Sequence, residues 1–154
     1  MIAGKNFPVE KKCDIGDALV KYLHYPGDGP DLVLLHATGF QPWLWHPIAS
    51  KLAPEFNVIA PYFCDHRYSE PEDGGTSWAI LAEDLYRLCS RLNLKAPFVA
   101  GHSMGGTVIT LCAGTHTVTP EAMVLIEPIF LPSEVYKVKI TVEQHPLASK
   151  SINR

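Results

Sequence analysis

An α/β fold, with a mostly parallel sheet and helices on both faces, is what this sequence predicts. Three observations point to it. Short, largely apolar stretches stand at Asp31-Leu-Val-Leu-Leu-His36, Phe56-Asn-Val-Ile-Ala60, Phe98-Val-Ala100 and Met123-Val-Leu-Ile126. Such runs suit strands covered on both faces. Stretches with helical spacing separate them, and right-handed crossovers then lay the strands parallel. Finally, Gly101-His102-Ser103-Met104-Gly105 lies where an apolar run meets the helix-like run Thr107-Val-Ile-Thr-Leu-Cys-Ala113.

Taken in order, residues 1–13 carry little pattern. Gly16-Asp17 signals a turn, and the text up to Tyr25 partly alternates, as an edge or hairpin strand would. Pro26-Gly-Asp-Gly-Pro30 is a dense turn before the first central run. After His36-Ala-Thr-Gly-Phe40, Pro42 leads a helical pattern through Leu52, and Pro61 closes the next strand. Residues 65–75 read as polar loop, in which Asp65 and Arg67 are spaced to pair. Thr76 or Ser77 suits the N-cap of a helix from Trp78 to Leu92, with Ile80, Leu81, Leu85, Leu88 and Leu92 at helical spacing. Thr119-Pro120 breaks the chain before its last strand, and helical hints return between Ser133 and Val142.

With 154 residues, 47% of them hydrophobic, the chain suffices for one core and not for two ordinary domains. A net charge of −3 gives no electrostatic reason to expect nucleic acid or an anionic membrane as partner. Neither a signal-peptide run nor a membrane span is read, and no residue cluster has metal-ligand spacing. Four scattered cysteines, with Cys89 and Cys112 in apolar helical settings, suggest packed thiols in a reducing compartment. The expectation is a cytoplasmic protein without cofactors.

Gly-x-Ser-x-Gly between a strand and a helix has a chemical meaning. The glycines let the backbone turn sharply, the serine is pushed into a strained, exposed position, and the helix N-terminus offers N–H groups to a developing negative charge. Acyl chemistry also needs an oxyanion site, and small residues in His36-Ala37-Thr38-Gly39-Phe40 allow close backbone approach there. At this point the chain resembles the α/β-hydrolase family, from about residue 15 to residue 130. The resemblance implies Ser103 as nucleophile and the N–H groups of Thr38 and Met104 as the oxyanion hole. Glu127 stands where some members of the family, the haloalkane dehalogenase-like branch among them, carry the triad acid. Dehalogenation itself is not expected, because that chemistry uses an aspartate where this chain has Ser103.

The same resemblance implies what the chain leaves out. It reads as one truncated domain over residues 1–154, with a core at 15–130 and a tail at 131–154. The family's cap, its further strands and the loop with its catalytic histidine have no counterpart. His145 alone follows Glu127, so Ser103, Glu127 and His145 would keep the order serine, acid, histidine. A histidine from a second chain is the rival base. The other histidines, His36, His66 and His102 among them, read as structural.

Met123–Ile126 would become an exposed apolar edge that recruits a second copy, unless the tail folds back over it. Three functions remain open. One is a serine hydrolase on small carboxylic esters; another is a non-catalytic binder of a small ligand. The third is an inactive truncated hydrolase that folds as an oligomer. Trp43, Trp45 and Phe40 line an acyl pocket or belong to the core.

Overall fold

A computed structural model of the chain describes residues 6–63, 65–68, 75–116, 119–137 and 140–141. Six strands form one sheet: β1 (Val9–Asp14), β2 (Leu19–Tyr25), β3 (Asp31–Leu35), β4 (Asn57–Pro61), and, after a two-residue strand β5 (Gly75–Thr76), β6 (Phe98–His102) and β7 (Ala122–Ile126). The spatial order is β1-β2-β4-β3-β6-β7. β3 lies parallel to both β4 and β6, and β6 is parallel to β7. β1 and β2 run antiparallel at the other edge. The predicted mostly parallel α/β sheet is therefore observed.

Helices α1 (His46–Leu52), α2 (Asp65–Tyr68), α3 (Trp78–Arg91) and α4 (Met104–Thr115) connect the strands. Alternation along β3 shows how the sheet is covered. Val33 and Leu35 join Leu81, Leu85, Leu88, Val108 and Ile109 of α3 and α4 in one cluster. Leu32 and Leu34 join Trp45, Ala49 and Ala53 around α1 in another. Both faces are dry, which is why the run has no polar alternation. Burying each of these leucines stabilises the fold by about 1.5–3 kcal/mol relative to exposure. Ser77 caps α3, its Oγ accepting from the Ile80 N–H at 3.2 Å.

Three elements depart from the sequence reading. β1 arises where little pattern was visible, because it is an edge strand with only Cys13 buried. Part of the polar loop forms the single turn α2. In the tail, the helical hints reduce to a 3-10 turn at Val135–Lys137, followed by a short strand β8 (Ile140–Thr141) that pairs antiparallel with β5. Ile140–Thr141 thus lies against β5, and β7 bears no further strand among the described residues. Met123, Val124 and Ile126 stay 46%, 57% and 40% exposed.

Cys13, Cys89 and Cys112 are buried free thiols. Burial pushes Cys89 up to about 12 and Cys112 up to about 11, so both are protonated packing groups. No helix among the described residues is long and apolar enough to cross a membrane.

Candidate active site

Every candidate residue that is described lies at the carboxyl ends of β3, β6 and β7, where ligand crevices of open α/β sheets form. Register sets the neighbours. Leu35 pairs with Gly101, so the loop after β3 meets the end of β6. His102 pairs with Ile126, so Ser103 and Glu127 follow on adjacent strands.

Ser103 links β6 to α4 with φ 52° and ψ −113°, a left-handed conformation that a side chain ordinarily avoids. Its N–H donates to the Ile126 carbonyl at 2.8 Å, and its carbonyl accepts from the Thr107 N–H at 3.0 Å. The side chain does not cap the helix. The turn closes because two positions lack a Cβ. One at Gly101 would stand 2.5 Å from the Gly105 carbonyl carbon, and one at Gly105 would stand 2.4 Å from the Leu35 carbonyl oxygen. Either clash would force α4 off the sheet. The N-terminus of α4, a helix of 12 residues, carries roughly half a positive charge beside Ser103.

Across the crevice, the Phe40 N–H closes a turn onto the Ala37 carbonyl at 3.1 Å, with Gly39 at φ 78°. Thr38 is exposed on this turn, whereas Met104, the first residue of α4, is buried. The rings of Phe40 and His102 lie 6.5 Å apart and tie the two loops together. The aromatics divide: Trp45 is core, while Trp43 and Phe40 are 45% and 51% exposed.

Glu127 follows β7 at φ 46°, exposed and adjacent in register to Ser103. His145 lies outside the described residues. Buried His36 is committed elsewhere: Nε2 accepts from the Phe63 N–H at 3.1 Å, so Nδ1 carries the proton and donates to the Ala37 carbonyl at 2.9 Å. It shapes the loop as a neutral ring.

The sequence reading missed the charge centre behind the site. Asp84 of α3 is fully buried; its Oδ2 accepts from Arg67 Nε at 2.8 Å and lies 2.8 Å from His66 Nε2, while its Oδ1 takes Arg67 Nη2. Arg67 also reaches Asp17, 3.2 Å away, which Arg87 holds at 2.9 Å. Among the described side chains, Arg67 pairs with Asp84 and Asp17, while the expected Asp65 side-chain contact lies outside them. A signal existed: Asp84 falls three residues after Leu81 and four before Leu88, on the apolar face of the helix.

Burial works to raise the Asp84 carboxyl, but the bonds and charges of Arg67 and His66 prevail and hold it below its ordinary value. These contacts anchor the chain after β4 to α3.

Among known proteins, a family model described as "alpha/beta hydrolase fold" matches residues 30–144. An uncharacterized protein of Mycobacterium tuberculosis is 35% identical over 82 residues, 53% of this chain and 24% of that protein. The pimeloyl-[acyl-carrier protein] methyl ester esterase of Vibrio atlanticus is 33% identical over 99 residues, 62% of this chain and 35% of the esterase. A crystal structure of an Acinetobacter baumannii protein assigned as a lipase superposes with a TM-score of 0.73 at 26% identity. It is matched over 83% of this chain and 44% of its own. The chain therefore spans less than half of the length of each of these proteins.

Asp84 gives the site's surroundings a pH signature. A carboxyl held below its unfolded value of about 3.9 contributes stability above that pH and loses it as pH falls through the folded value. Asp84→Asn is expected to lower stability at pH 7 by about 3 kcal/mol, since Arg67 loses its buried partner. It is also expected to lose less stability than wild type between pH 5 and pH 3. Urea titrations at both pH values check this; equal losses in the two proteins would contradict it.

Proposed function

Because the chain belongs to the α/β-hydrolase fold family, we propose that it is a serine hydrolase acting on small carboxylic esters through an acyl-enzyme at Ser103. One observation carries the reading. Ser103 is held at φ 52° where β6 enters α4, between the strand ends that carry Thr38 and Glu127. A residue costing roughly 1–3 kcal/mol of backbone strain persists where the surroundings over-determine it, and such residues cluster at functional sites.

In the proposed reaction, Ser103 Oγ attacks the ester carbonyl carbon as its proton passes to a base. The resulting oxyanion rests on the N–H groups of Thr38 and Met104, near the positive end of α4. Collapse of the tetrahedral intermediate expels the alcohol with that proton, and water then releases the acid by the same steps. Glu127 is the acid that orients the base, and His145 is the base on this chain. Three buried thiols are in keeping with a reducing, cytoplasmic setting.

A second reading, a small-ligand binder without turnover, draws on the described histidines. His36 and His66 are bound to Phe63 and Asp84 and do not serve Ser103. The elbow and the oxyanion loop would then shape a pocket only.

Hydrolysis of a short-chain p-nitrophenyl ester separates the two. Wild type is expected to turn over and Ser103→Ala to fall to the buffer rate. Equal rates in both proteins, above buffer or not, would sink the assignment of Ser103.

Assembly belongs to the same proposal: β7 pairs with β7 of a second copy about a two-fold axis. Ala122–Ile126 carries no charge and is apolar on both faces, as a central strand would be. Two-fold antiparallel pairing centred on Val124 would oppose Glu121 and Glu127, so the pairing is shifted from that centre. Sedimentation at micromolar concentration should give a dimer, and Val124→Lys a monomer. A monomeric wild type would refute the pairing.

A further inference from the structure

The segment after β7 is held by a hydroxyl. Thr107, 1% exposed in the first turn of α4, accepts at Oγ1 from the Ile129 N–H at 2.9 Å and donates to the Ile129 carbonyl at 2.8 Å. The Ser103 carbonyl lies 3.3 Å from the same oxygen. One side chain thus pairs with both the backbone donor and the backbone acceptor of one residue outside any strand ladder. Pro128 is seated against Gly106, where an added Cβ would come within 3.1 Å of the proline Cβ. On the other side, Ile126 is fixed through its carbonyl by the Ser103 N–H at 2.8 Å.

Glu127 stands between these fixed points with φ 46°. Steric contact with the ring of Pro128 favours extended backbone at this position, and a left-handed conformation is costly for any residue with a Cβ. The strain is sustained by anchors on both sides. Of those anchors, Thr107 alone acts through a side chain whose bonds can be removed without changing its shape.

We propose that Thr107 is a positioning residue: its paired hydrogen bonds to Ile129 hold Glu127 in the left-handed conformation and fix the place of its carboxylate beside Ser103. This rests on the reading of Ser103 and Glu127 as parts of one hydrolytic site, and it adds the residue that locks them to one helix. Valine at 107 keeps the branched shape and loses both bonds, whereas serine keeps both.

The test compares Thr107→Val and Thr107→Ser in the full chain. Hydrogen exchange at the Ile129 amide, followed by NMR, should be protected in wild type and Thr107→Ser. In Thr107→Val it should be at least about tenfold faster, while the β6 amides stay unchanged. Equal Ile129 exchange in wild type and Thr107→Val would overturn the clamp. In ester turnover, Thr107→Val should lower kcat about as far as Glu127→Gln, with KM within about twofold, and the double variant should be no slower than either. Losses that multiply would mean that Thr107 does not act through Glu127, and would overturn the positioning role. A wild type without turnover would defeat the ester reading alone, and the Ile129 exchange would still decide the clamp.

Discussion

The contact on which the site depends is the seat of α4 on β3, where Gly105 lies against the Leu35 backbone with no room for a Cβ. That approach brings the first turn of α4 down to the sheet, so Ser103 and Met104 stand beside the loop after β3. The cost is the backbone of Ser103, forced to a positive φ to join a strand to a helix in one residue. Register on the other side, His102 with Ile126, delivers Glu127 next to it. The local geometry and the convergence of three strand ends thus follow from two glycines and two strand registers.

Electrostatics fixes what close packing alone would leave movable. Buried Asp84 draws Arg67 and His66 onto α3, and Arg67 reaches on to Asp17. This anchors the chain after β4 beside the crevice. His36 adds a neutral bridge from the loop after β3 to Phe63. Both networks support the shape of these loops, and neither His36 nor Asp84 is needed for the proposed chemistry at Ser103.

The central fold was legible because its strands are covered on both faces and advertise it: Asp31–Leu35 and Asn57–Pro61 read as apolar runs and became β3 and β4. β1 was not legible, since Val-Glu-Lys-Lys-Cys-Asp buries one side chain and its pairing depends on β2 rather than on its own pattern. Arg67 was legible as a loop brace, but its contact to Asp84 was not, because it spans 17 residues between separate elements. The glycines at 101 and 105 announced the turn at Ser103. The hydroxyl of Thr107 gave no such signal; inside a helical run it reads as an ordinary helix residue until the chain after β7 is seen against it.

The account stands or falls on whether Ser103 is an activated nucleophile, and a covalent probe reads that without a chosen substrate. A fluorophosphonate forms an oxygen–phosphorus bond to such a serine as fluoride leaves. Intact mass of the treated chain should rise by one adduct, and peptide mapping should place it on Ser103. An unmodified chain under conditions that label a known serine esterase, or an adduct on another residue with Ser103 untouched, would contradict the account.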